Sequence, residues 1–356
     1  MTKVVWGLAQ NDDKNKRVDK ILESLNLDKL VIETNDILKF TTFVNRVKIL
    51  RNITKKPEKA TTEDFRLFFQ HKFEKIRDMI TEKVPERFIS LSSIMRNQKG
   101  VWVVGMVREI KSSEKINVEF DDPTGSITLV LDSLDNIEND DVFAVYGDVE
   151  NGGLRVKRIV WPDVPLRAAK TGFGKICVVS DLHLNEAPIN QFEKFLMWFN
   201  NEDIKYLFII GNVGDLERLN DLIEKHISRM KTIFLVPGEL DGKEYPTLPL
   251  ETNNDKVISL SNPSIVEING VVILLIHKFD VNMLKKRYLG KPTYIIKNNP
   301  LVLDIVPDLV LCGYTKEPEI KNYKSITIVN AGSLLTEFKP TVIDLSTREY
   351  RQMTFN

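Results

Sequence analysis

The sequence predicts a multidomain chain of the α/β and β classes: a small helical region over residues 1–85, a small barrel over 86–166 and an α/β domain over 167–356. Three observations predict it. Apolar residues recur at helical spacing in the first part, in short Val/Ile-rich runs between turn signals in the second, and in alternating strand and helix patterns in the third. The 356 residues suffice for two or three cores. Lys+Arg and Asp+Glu both total 50, so no global field draws the chain to nucleic acid or to an anionic membrane. The two cysteines, Cys177 and Cys312, sit in apolar runs and read as buried reduced thiols in an intracellular protein. The N-terminal stretch lacks a signal-peptide core, and no segment approaches the roughly 20 apolar residues of a membrane helix. The expected location is cytoplasmic.

In the first part, RVDKILESLNL places Val18, Ile21, Leu22 and Leu25 on one helical face. DFRLFFQHKFEKIRDMI does the same with Phe65, Phe68, Phe69, Phe73, Ile76 and Ile80, with Thr61 or Thr62 as the helix start. Between them, RNITKKPEKATTED reads as a solvated linker. The mild basic excess here suits the charged outer face of a small helical module better than a dedicated DNA-binding surface. His71, and His226 further on, lie on predicted helices without ligand-like neighbours and read as surface or boundary residues.

In the second part, VWVVGMVREIKSS, INVEFDD, SITLVLD, DVFAVYGDVE and LRVKRIVWP are strand-like, with DPTG and NGG turns between them. Five strands at this spacing, with Gly105 and Gly147 placed for bends, fit an OB-fold. Such barrels commonly hold single strands through exposed aromatics and a basic groove. Here Trp102, Phe120, Phe143, Tyr146 and Trp161 fall at core-type positions, so packing is favoured over strand binding.

The third part alternates strand (KICVVS), helix (INQFEKFLMWFN), strand (KYLFIIG), helix (LNDLIEKHISRM) and strand (TIFLVPG), followed by the strands PSIVEI, VVILLIH, LVLCG, SITIVNAG and TVIDL. This is a largely parallel sheet covered by helices, whose sites belong at the C-terminal ends of the strands. Asp181 and His183 stand at the first such end, and a carboxylate with an imidazole is a good ligand pair for a divalent metal.

With IIGNVGDL, LVPGELDG, LLIHKFD and LCGYTKEP, that first loop resembles, in order, the signature loops D-x-H, G-D-x-x-D, G-N-H-D, H and G-H-x-H of the calcineurin-like metallophosphoesterases. VNAGSL, Val329 to Leu334, adds the family's N-x-G-S turn. The resemblance implies a two-layered β sandwich flanked by helices. The chemistry explains the motif: two dications about 3.5–4 Å apart clamp a phosphate and its attacking hydroxide. A bridging carboxylate offsets their repulsion, and neutral imidazoles add no charge. This chain keeps Asp181, His183, Asp215, Asp241 and His277 at matching positions. Asn212 replaces the bridging aspartate, Glu239 the asparagine ligand, Leu240 the histidine acid, and Tyr314 and Lys316 the two histidines of the last loop. An ammonium at a ligand position repels a metal. The two-metal centre therefore reads as largely lost, with no catalytic residue assigned. What remains is either a fossil hydrogen-bonded to its own loops, with no cofactor, or one weakly bound Mn on Asp181, His183 and His277, with help from Glu239. Lys316 is expected to be able to fold in and pair with Asp181.

An OB-fold directly before such a domain resembles the small (B) subunits of replicative DNA polymerases, and most closely those of the archaeal family D enzymes. DDPTG (Asp121 to Gly125) and RIVWPDVP carry the likeness in the barrel. Active archaeal members are 3′–5′ exonucleases, whereas eukaryotic B subunits are scaffolds without the ligands. The departures at Asn212, Glu239, Leu240, Tyr314 and Lys316 imply a non-catalytic scaffold in a replication or repair complex. Its partner would be a polymerase catalytic subunit or another replication factor, with DNA reached through the complex and no membrane. The alternatives are a Mn-dependent phosphodiesterase or nuclease on a reduced site, and a single-stranded nucleic-acid binding module.

Overall fold

The computed structural model describes residues 47–57, 59–112, 116–134 and 136–355; the helix expected at RVDKILESLNL lies outside them. Residues Ile49–Asn356 form one compact unit. It begins in the short strand β1 (Val47–Arg51) and continues into helix α1 (Thr62–Thr81). Thr61 is the N-cap of α1: its hydroxyl accepts from Asp64 N while the Asp64 carboxylate accepts from Thr61 N, a capping box. Phe73, Ile76 and Ile80, at helical spacing, are its buried face. The segment read as a linker is partly docked. Arg51 donates to the carbonyls of Pro300 and Val302 and pairs with Asp304, and Ile53 is buried. Periodicity cannot register anchoring by one or two residues.

The barrel is closed in the order β2 (Val101–Ser112), β3 (Ile116–Asp122), β4 (Gly125–Leu131), β6 (Gly153–Val160) and β5 (Val142–Glu150). Closure leaves no open edge. Phe120, Phe143, Val103, Leu129 and Leu154 fill its interior, whereas Trp102, Tyr146 and Trp161, also expected at core-type positions, are only partly buried. Gly105 and Gly147 mark close approaches: a Cβ would lie 2.5 Å from the Phe120 ring and 2.2 Å from Arg155 O. In the DPTG turn, Asp122 Oδ1 accepts from Thr124 N at 2.7 Å and Gly125 N at 3.0 Å.

Two six-stranded sheets follow. The first runs β10 (Val257–Ser259), β9 (Thr232–Val236), β8 (Tyr206–Ile210), β7 (Lys175–Ser180), β16 (Thr341–Asp344) and β17 (Tyr350–Gln352). The second runs β1, β11 (Ser264–Ile268), β12 (Val271–Ile276), β13 (Leu309–Cys312), β15 (Ile326–Asn330) and β14 (Glu319–Tyr323). Strands β7, β8 and β9 are parallel, as are β12, β13 and β15. Their continuous apolar runs are what strands covered on both faces require. Helices α2 (Ile189–Asn201) and α3 (Leu216–His226) cover one face of the first sheet through Cys177, Val179, Leu207, Ile209, Ile233 and Leu235. The outer face of the second packs Val272, Leu274, Ile276, Val310 and Ile328 with α1, the short helix α4 (Val281–Lys286) and barrel residues Val104, Val142 and Ala144. The opposite faces, among them Val178, Phe208 and Phe234 on one sheet and Ile273, Leu275 and Leu311 on the other, are fully buried, as the inner faces of a two-sheet sandwich are. No described helix is long and apolar enough to cross a membrane.

Candidate functional site

Asp181 follows the last residue of β7, and His277 follows the last residue of β12. The two sheets thus deliver one carboxylate and one imidazole to a common point. Gly211, at φ +94°, is why they can meet: a Cβ there would lie 2.3 Å from His277 Cδ2 and 3.0 Å from Asp181 Oδ1. Asp181 and His183 both hold positive φ, +48° and +45°, a strained backbone for residues with side chains. Surrounding bonds over-determine it. Asp181 N donates to Ile210 O, and Asp181 O accepts from Leu334 N and Ser333 Oγ, both at 3.1 Å. These last two come from the N-x-G-S turn, whose Asn330 also holds Gly313 O at 2.8 Å.

The Asp181 carboxylate is 3% exposed and surrounded by protein donors. Oδ1 accepts from Asn212 Nδ2 at 2.9 Å and from His277 Nε2 at 2.9 Å; Oδ2 accepts from Tyr314 N at 2.8 Å. The buried His277 Nδ1 has no hydrogen-bond partner among the described residues. Asn212 Oδ1 is itself engaged, accepting from Leu240 N at 2.8 Å. His183 stands at the edge, with Nε2 3.9 Å from Asp181 Oδ1.

The remaining predicted positions point elsewhere. Asp215 is the N-cap of α3, accepting from Arg218 N at 2.9 Å. Asp241 is a loop clamp that accepts from Val213 N and Gly238 N at 3.0 and 2.8 Å. Glu239, Leu240 and Tyr314 are exposed, Leu240 at 76%. Lys316 is also exposed and makes no ion pair with Asp181 among the described residues, so the pairing considered from sequence is not formed. The Asp181 oxygens already have three donors from closer neighbours. Lys278, missed in the sequence, bridges the rim: its Nζ lies 4.4 Å over the Tyr314 ring, 3.3 Å from the Tyr314 hydroxyl and 3.8 Å from Glu239 Oε1. The hydrogen bond with Tyr314 raises its pKa. Its only sequence signal was adjacency to His277.

A two-metal centre needs a bridging carboxylate and free lone pairs facing one point. Asn212 offers an engaged neutral amide where a bridging carboxylate is needed, and Tyr314 and Lys316 face solvent. Among the described residues no group of three or more His, Cys, Asp or Glu side chains is gathered at metal-binding geometry. These residues do not fit a two-metal centre.

A calcineurin-like phosphoesterase superfamily domain model matches residues 175–348. A curated protein of Archaeoglobus fulgidus, "DNA polymerase II small subunit", is 24% identical over 83% of this chain and 76% of its own length. One of the same name from Thermoplasma acidophilum is 26% identical over 77% of this chain and 71% of its own. A solved archaeal phosphodiesterase is 18% identical at TM-score 0.38, covering 51% of this chain and 99% of its own.

Proposed function

We propose that the chain, similar to the small subunits of archaeal DNA polymerase II, is a family D homologue that serves as a non-catalytic accessory subunit and scaffolds a DNA replication or repair complex. Its phosphoesterase domain, on this reading, has lost exonuclease and phosphodiesterase activity. It acts in the cytoplasm and binds a polymerase catalytic subunit or another replication factor, reaching DNA through that complex. One observation carries the reading: the donors around Asp181 are protein groups, from Asn212, His277 and the Tyr314 backbone, in the place where metals and a phosphate belong. The domain order is proposed to follow the same logic, with a helical region over 1–85, an OB barrel over 86–166 and a phosphoesterase domain over 167–356.

Affinity purification of the native protein from its own cells, with mass spectrometry of what accompanies it, tests the proposal. A polymerase or replication subunit at near-equal amount is the expected result. A protein recovered alone, hydrolysing single-stranded DNA with added manganese and losing that activity in Asp181→Ala and His277→Ala, would replace it with the reduced-site nuclease. Binding to an oligonucleotide with a steep salt dependence would instead favour the single-strand module.

A further inference from the structure

Lys72, in the middle of α1, is 3% exposed, and its Nζ stands 3.5 Å over the Tyr288 ring. Among the described residues it has no hydrogen bond and no ion pair. It lines a cavity of about 390 Å³ between α1, the barrel loop 136–141 and the α4 segment, together with Asn139, Asp141, Asn282, Lys286 and Tyr288. The carboxylates that line the cavity are engaged, and Asp140, beyond the lining, acts on Lys72 through its charge. Asp141 pairs with Lys286 at 2.8 Å, and Asp280 caps α4 through Asn282 N at 2.6 Å. Glu138 lies 3.8 Å from Lys291. A buried amine with no acceptor disfavours its charged form.

We propose that Lys72 is a modification site, whose ε-amine takes an acyl group from a small activated acyl donor, an acyl phosphate or a thioester, entering this cavity. The nitrogen lone pair attacks the acyl carbon and forms the amide bond. The bond to phosphate oxygen or to sulfur breaks, phosphate or thiolate leaves with the electron pair, and the amine proton goes to solvent. The product is neutral, so the buried charge is relieved, and the change falls where α1, the barrel loop and α4 meet.

Burial lowers the Lys72 pKa to about 8, against the pull of Asp141 and Asp140 and with some help from Lys291 and Lys286. At pH 7.5 this leaves roughly a quarter of the amine neutral, against about 0.1% for an ordinary lysine. Lys83 is the internal control. Its pKa is also lowered to about 8 by burial, but its Nζ donates to the carbonyls of Pro162 and Asp163. The two lysines share a titration range and differ in hydrogen bonding and in access to a cavity.

The test is a time course of the folded wild-type chain at pH 7.5, with acetyl phosphate in one arm and acetyl coenzyme A in the other, read by peptide mass spectrometry. Restricted access offsets much of the gain in neutral amine, so we expect Lys72 to acetylate about tenfold faster than the mean of exposed lysines of ordinary pKa. Any excess above about threefold in either arm supports the site and identifies the donor. The rate should rise with pH up to about 8 and then level. In 8 M urea the selectivity should vanish, and Lys72→Arg should remove the fast equivalent. A Lys72 rate within threefold of exposed lysines, or below it, in both arms overturns the proposal, and the wild-type peptide map decides even if the variant does not fold.

Discussion

Asp181 and Lys72 are equally hidden, each 3% exposed, yet the protein treats the two charges in opposite ways. Three donors converge on the Asp181 carboxylate; among the described residues the Lys72 amine has no hydrogen bond or ion pair and lies over the face of Tyr288. The first joins the C-terminal ends of two sheets. The second sits where three segments converge and nothing completes it. Burial of a charge is therefore ambiguous until its partners are counted. A fully partnered group holds structure, and an unpartnered one is poised for chemistry.

Asp181→Ala should break the comparison hardest. It strands the His277, Asn212 and Tyr314 donors in a dry site, and we expect a loss of about 3–5 kcal/mol in urea unfolding. A loss below about 1 kcal/mol would mean that water or an ion already shares those contacts. Next comes Asn212→Asp, which sets a second carboxylate where an amide now donates to Asp181 at 2.9 Å. Like charges this close should lower stability by about 1–3 kcal/mol, and millimolar manganese should raise the variant's melting temperature more than the wild type's. Lys72→Met should act with the opposite sign, stabilising by about 1–3 kcal/mol at pH 7 because a lone buried charge is replaced by an apolar side chain. With the folded pKa lowered to about 8, the unfolded lysine binds more protons between about 8 and 10, so wild-type stability from this group rises with pH there. The advantage of the Met variant should be complete below pH 8 and gone above about 10. The smallest effect belongs to the exposed rim: Lys316→Ala should stay within about 0.5 kcal/mol.

Much of this architecture was legible in the sequence because the central strands are covered on both faces. KICVVS, KYLFIIG, TIFLVPG and VVILLIH read as continuous apolar runs and fall on β7, β8, β9 and β12. Strands β14 and β17 carry mostly exposed side chains and offer no such pattern. At the site, spacing located Asp181, His183 and His277 at strand ends, but it could not separate a ligand from a cap or clamp. Asp215 and Asp241 match motif letters while serving backbone N–H groups, a distinction that depends on which way a loop turns. Lys72 gave no signal, since a lysine in an amphipathic helix reads as solvated until the opposite surface is known.

The placement of β16 has a consequence for how the chain is made. The edge of β7 beside Ile176, Cys177 and Val178 is covered only by Thr341–Ile343, which leave the ribosome half a chain later. For almost half of synthesis the strand that leads to Asp181 presents an open apolar edge, able to recruit a neighbouring nascent chain. Transcripts cut short before Thr341 should therefore yield sticky, chaperone-bound products instead of quietly inactive ones.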